Sequence, residues 1–215
     1  MSKLFLISDT HFFHEAMINR LQTGSGEYVR SRFSSVEEMN ETIIKNWNDV
    51  VSADDRVIHL GDFAWHSAGT DAIESIIKRL NGKKKMLYGN HDAGLFGFYR
   101  KFFDVDVYAK MAYNEQRLEL CHFPIHTDSS YFNEQILFVH GHTHNNLIKS
   151  DGHIPRYVNV CVECIGYKPI LFDNLIKASY DQYNALKNHN GRVDLAYQDL
   201  KDKTYATKKE ANQKN

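Results

Sequence analysis

Asp9-Thr10-His11, Gly61-Asp62, Gly89-Asn90-His91-Asp92, His122 and Gly141-His142-Thr143-His144 follow one another along a chain of 215 residues. Each piece holds little besides side chains that ligate metals, and each comes directly after a run that reads as a β-strand. One such piece would carry little weight, because a single histidine is more often a satisfied surface or core residue. Five in order, each at a strand end, describe one pocket of carboxylate, carboxamide and imidazole donors. No thiolate belongs to the set, which argues for a catalytic centre and against a structural zinc knot. An aspartate such as Asp62 can bridge two cations with its two oxygens, and Gly61 before it allows close backbone approach. Asn90 adds a neutral carbonyl oxygen, and the mixed oxygen–nitrogen set suits Mn²⁺, Fe or Zn²⁺.

The strands and helices that carry these residues are legible around them. Residues 4–8 form a continuous apolar run ending at Asp9, as a buried strand does. Ser35 with Glu38 three residues later is a capping box opening a helix to about residue 51, with Met39, Ile43, Ile44 and Trp47 on its core face. Residues 56–60 and 85–88 read as strands, with a helix over 70–80 between them stopped by Asn81-Gly82. Strands over 106–112 and 117–120 form a hairpin ending at His122, and strands over 136–139, 157–162 and 170–171 follow. A last helix is expected over 172–187. Residues 12–33 are irregular around Gly24-Ser25-Gly26, and the three lysines 83–85 read as a solvated strand entry, with phosphate steering as the alternative. Helices after strands early, then a strand-rich second half, suit an α/β sandwich with mixed sheets. One domain over residues 1–190 is expected, with 191–215 a polar, frayed tail.

Composition narrows the setting. Hydrophobic residues are 42% and charged residues 25%, with a net charge of -1, so no global basic field points to nonspecific nucleic-acid binding. Cys121, Cys161 and Cys164 make an odd count that suits a reducing compartment. Cys161-Val162-Glu163-Cys164 has CxxC letters but lies in a strand-like stretch with no second pair, so buried structural cysteines are expected. No apolar stretch is long enough to span a bilayer and no leader is evident, which gives a cytoplasmic expectation with no membrane partner.

The ordered DxH, GD, GNHD, H and GHxH pieces resemble the calcineurin-like metallophosphoesterases over roughly residues 3–165. The run from Ser8 to His14, Arg32-Phe33, Trp47-Asn48 and His59-Leu60-Gly61-Asp62-Phe63 resembles a small bacterial and phage-type branch of that superfamily. The resemblance implies a four-layer αββα sandwich of two mixed β-sheets flanked by helices. It also implies two divalent metal ions that activate a shared, bridging hydroxide to hydrolyse phosphate esters. Carried over residue by residue, it puts Asp9, His11 and His144 on one metal and Asn90, His122 and His142 on the other, with Asp62 shared. His91 matches the family's catalytic histidine, which contacts the scissile phosphate and protonates the leaving oxygen.

Three further residues carry two readings each. Asp92 orients His91 or a metal ligand, or is a turn residue; Arg32 clamps a substrate phosphate, or pairs with Glu37 or Glu38 on the surface; His14 lines the pocket, or caps a turn. Phe63-Ala64-Trp65-His66 lacks the arginine that protein phosphatases of the superfamily carry after their Gly-Asp, which favours a phosphodiester or a small nucleotide-like ester as substrate. A phosphomonoesterase and a metal-holding scaffold are the competing functions. Phe96, Phe98 and Tyr99 are offered either as a base-stacking surface or as core.

Overall fold

Short apolar strands need cover on both faces, which parallel pairing with flanking helices provides. The computed structural model describes residues 2–20, 28–113, 116–125, 136–150 and 155–201. In it β1 (Leu4–Ile7), β2 (Arg56–His59), β3 (Lys83–Leu87) and β4 (Asp104–Asp106) run parallel. The second sheet holds β5 (Tyr108–Tyr113), β6 (Gln116–Cys121), β7 (Ile136–His140) and β8 (Tyr157–Asn159), antiparallel at the β5–β6 hairpin and parallel thereafter. β9 (Ile170–Leu171) returns antiparallel beside β1, so the first sheet has the order β4-β3-β2-β1-β9. Both sheets are mixed, as expected.

Register decides where the strands end. Ile7 pairs with His59 and His59 with Met86, while Cys121 pairs with His140 and His140 with Asn159. The carboxyl ends of each sheet are therefore level, and the loops that follow them converge. The sheets are stitched at that end: Ser8 N–H donates to Val160 O at 3.0 Å, and Val162 N–H donates to Ser8 O at 3.2 Å.

One-turn helices α1 (Ala16–Asn19) and α4 (Phe96–Tyr99) follow the first and third motifs. Helices α2 (Val36–Val50) and α3 (Thr70–Arg79) join the main core. Ser35 caps α2 by accepting the Glu38 N–H, but the Glu38 carboxylate turns to the Ser34 N–H and hydroxyl, so half of the expected box forms. Met39, Ile43 and Trp47 are fully buried, and each such side chain contributes about 1.5–3 kcal/mol. α5 (Leu175–Asn188) begins after a 3₁₀ turn at Phe172–Asn174 and is tied to β8 through Gln182, which bonds Asn159 N and O at 2.8 Å each.

Two expectations are corrected. The strand expected over 157–162 stops at Asn159, and Val162–Ile165 forms a 3₁₀ turn. The chain beyond residue 190 is not all frayed: α6 (Val193–Gln198) packs on the end of α5. Val193, Ala196 and Leu200 are spaced i, i+3 and i+7, enough for a short apolar stripe, with Ala196 and Leu200 buried. Gly24-Ser25-Gly26 and residues 202–215 lie outside the described residues.

Candidate metal centre

Sharp backbone turns at the strand tips present the donors. Asp9, His11, Asp62, His142 and His144 have φ of 57°, 47°, 57°, 66° and 49°. The left-handed region is uncommon for residues with a Cβ and costs of order 1–3 kcal/mol each. Strain is thus gathered at five of the seven expected ligands. Glycines admit the close approach: a Cβ on Gly89 would strike the Asp62 carboxylate, and one on Gly141 would strike Ser8 Oγ and the Asp9 carboxylate.

The structure brings all seven expected ligands together. His11 Nε2 lies 3.7 Å from Asp9 Oδ1 and 3.5 Å from Asp62 Oδ2. His122 Nε2 lies 3.4 Å from the same Asp62 oxygen and 3.0 Å from Asn90 Oδ1. Donor atoms of Asp9, His11 and Asp62 fall within 4.8 Å of one another, as do those of Asp62, His122 and His142, and of Asp9, His144 and Cys161. Asp9 Oδ1 and His11 Nε2 are buried and have no hydrogen-bond partner. Orphaned donors and acceptors are costly to bury, and a divalent cation between them would resolve both. The donor set fits the metals expected for it.

Hydrogen bonds decide which nitrogen faces the centre. Nδ1 of His122 bonds Leu60 O at 2.8 Å, Nδ1 of His144 bonds Glu163 Oε1 at 3.3 Å, and Nδ1 of His11 bonds His14 Nδ1 at 3.1 Å. Each leaves Nε2 for the centre. On the carboxylate side, Ser8 Oγ, the His142 N–H and the Cys161 thiol converge on Asp9 Oδ2, leaving Oδ1 to face inward. Burial lowers the His11 pKa to about 4 and keeps the ring neutral, as a ligand must be. At His122 burial is outweighed by Asp62 and Asp9, which raise the imidazole to about 9, so an entering cation must displace a proton there.

A cavity of about 270 Å³ opens over this cluster, lined by His11, Asp62, Asn90, His142 and His144 together with His91, His14 and Arg20. His91 belongs to none of the donor groups. Its ring centroid lies 5.0 Å from that of His11, and its N–H donates to Asp62 Oδ1 at 2.8 Å. His14 lines the cavity and stacks on Trp65 at 4.0 Å and 12°.

Asp92 and Arg32 are not on the cavity's lining. Asp92 is buried beneath the loops, where it accepts the N–H groups of Asp62 and Gly89 at 2.8 Å and of Phe63 at 3.1 Å. It clamps the second motif to the third; burial and the Asp62 charge push it up to about 7 against those three bonds. Arg32 is exposed, its guanidinium over the rings of Tyr167 (5.2 Å) and Phe33 (5.7 Å). Two residues before it, Arg30 reaches the first turn of the centre, bonding Asp9 O and Thr10 O.

Other residues were not marked by the sequence. His59 accepts the Gly61 N–H on Nδ1 at 3.1 Å and meets Thr10 Oγ1 through Nε2 at 3.0 Å, binding the first motif to the second. Glu163, inside the CxxC run, bonds His144 and Arg30. The two cysteines are buried as expected, yet their thiols touch the site: Cys161 bonds Asp9, and Cys164 bonds His144 O. Phe96, Phe98 and Tyr99 are not among the cavity's lining; Tyr99 sits in the core against Phe63 and Phe103. Lys83–Lys85 enter β3 at the end away from the centre, where Lys85 pairs with Asp104 and Asp106. Among the described residues, no helix is long and apolar enough to cross a membrane.

Relatives carry the same span. An uncharacterised protein of Methanocaldococcus jannaschii is 38% identical over 181 residues, covering 82% of this chain and 91% of its own. The crystal structure of a protein of unknown function from Aquifex aeolicus is 28% identical, with a TM-score of 0.62 over 82% of this chain and 99% of that one. The gene 66 protein of Mycobacterium phage L5 is 27% identical over 77% of this chain and 89% of its own. The model of the calcineurin-like phosphoesterases matches residues 2–206. A match running from before β1 to beyond α6 takes in the whole cluster from Asp9 to His144, and the chain belongs to the calcineurin-like phosphoesterase family.

Proposed function

We propose that this chain is a binuclear, metal-dependent phosphoesterase acting on a phosphodiester of a small, nucleotide-like molecule. The observation that supports it most is the pair of buried, unpartnered atoms Asp9 Oδ1 and His11 Nε2 facing the Asp62 carboxylate. Asp9, His11 and His144 would hold one ion, Asn90, His122 and His142 the other, and Asp62 both. Two such ions supply Lewis-acid polarisation of the phosphoryl group and a water of lowered pKa.

The chain's own residues do the rest. His91 stands over the cavity with its backbone fastened to the shared ligand. Its imidazole binds a non-bridging phosphate oxygen and holds the proton that the leaving oxygen needs. Asp92 keeps the loops of Asp62 and Asn90 in register. His14, backed by Trp65, forms a flat aromatic wall for the ester substituent.

Charge favours the diester. Phe63 and Ala64 are buried, so the loop after Asp62 sends no cation into the cavity, and among the described residues Arg20 is the one arginine on its lining. A phosphomonoester carries about -1.5 to -2 near neutral pH and needs more compensation than a diester. Arg20 is the residue that favours the second reading, a phosphomonoesterase. With Mn²⁺ supplied, turnover of bis-p-nitrophenyl phosphate and cyclic nucleotides should match or exceed that of p-nitrophenyl phosphate and a phosphopeptide. Robust phosphopeptide turnover with negligible diester cleavage would overturn the diester reading.

A further inference from the structure

Behind the centre, away from the cavity, lies a buried ion pair. Arg30 and Glu163 are both 0% exposed, and Nε sits 2.8 Å from Oε1. Apolar residues of similar volume often serve stability as well as such a pair, because desolvation of both ions offsets their attraction. Folding alone is therefore a weak reason for it.

Its contacts supply a better one. Glu163 Oε1 also receives His144 Nδ1 at 3.3 Å. Arg30 Nη1 donates to Thr10 O at 2.8 Å and Nη2 donates to Asp9 O, the carbonyls of the strained turn that carries Asp9 and His11. Asp9 and His11 leave the first sheet, whereas His144 leaves the second. The pair thus ties ligands of one ion across two sheets. In the other set, among the described residues, His122 Nδ1 bonds the Leu60 carbonyl rather than a buried carboxylate, and Asn90 and His142 are exposed.

We propose that Arg30 and Glu163 are positioning residues that set the affinity of the Asp9–His11–His144 ion, by fixing His144 with its proton on Nδ1 and holding both ligand turns in one geometry. This rests on the metal-centre reading above. Carboxylates behind metal-bound histidines typically govern affinity 10–100-fold.

The test is Arg30→Met combined with Glu163→Met, which removes both charges and keeps volume. Cooperative unfolding without metal should persist. In Mn²⁺ titrations followed by calorimetry and electron paramagnetic resonance, the wild type should bind two coupled ions. The variant should keep one affinity and lose about 10–100-fold in the other. Should the double variant fail to fold, Glu163→Gln is expected to show the same one-ion loss. The His144 tautomer, read by NMR in the Zn²⁺-loaded wild type, is an independent check. A folded variant with two unchanged affinities, equal weakening of both ions, or an Nε2–H tautomer overturns the proposal. A wild type that binds no ion overturns the metal-centre reading itself.

Discussion

His91 differs from its neighbours in having a place over the cavity but none among the donors, so binding and turnover should separate there. His91→Ala should keep its metals and fold while turnover drops roughly 10²–10⁴-fold, the usual scale for a general acid. The loss should be smaller for p-nitrophenolate than for alkoxide leaving groups, which need the proton. A variant without metals, read by metal analysis, would make His91 a ligand. Glu163 offers a pH signature instead. Burial alone would raise its carboxyl, but Arg30 and His144 outweigh that and hold it at about 2, below the unfolded value. A depressed acid stabilises the fold above its unfolded pKa, and that contribution is lost as pH falls toward the folded one. In the metal-free protein, the stability gap between wild type and Glu163→Gln should narrow by about 1–2 kcal/mol from pH 6 to pH 3. Urea unfolding at the two pH values measures it, and a constant gap counts against the pairing.

Among the elements, the loops after β1 and β7 meet at closest quarters. Gly141 lies against Ser8 and Asp9, so Gly141→Ala must displace one of two ligand-bearing turns. Overpacking of this kind costs about 1–3 kcal/mol, and metal occupancy should fall with it. Gly97→Ala in α4 is the matched control, since nothing lies within 4 Å of a Cβ there. Gly97→Ala should leave occupancy unchanged and be neutral or stabilising by about 0.5–1 kcal/mol. Equal effects of the two variants on occupancy would mean that the contact at Gly141 is immaterial.

The molecule as a whole is two sheets whose carboxyl ends share one strained, carboxylate-rich seam. Cations bound in that seam would offset the repulsion of Asp9 and Asp62 and tie the two sheets together. Saturating Mn²⁺ at about 100 times its dissociation constant should stabilise the fold by about 2.7 kcal/mol per ion. For a chain of this size that raises Tm by roughly 5–10 °C, and a chelator should reverse it. A scan indifferent to both would show that the seam needs no metal for stability.

Which residue types stand at which strand ends, and in what order, is legible from the chain alone. Short apolar runs and ligating side chains are local facts, so Asp9, His11, Asp62, Asn90, His122, His142 and His144 were legible, as were the strands that carry them. Capping and stripe signals likewise located α2 and α3. The two readings of Arg32 and of Asp92 stay open in the sequence because a charged residue near a motif looks the same whether it faces a substrate, a ring or a backbone amide. That Arg30, 133 residues before Glu163, meets it behind His144 emerges from the folded arrangement. Only there could Asp9 Oδ1 and His11 Nε2 be seen without partners. Those outcomes depend on register across two sheets and on burial, and neither is written in any short stretch of chain.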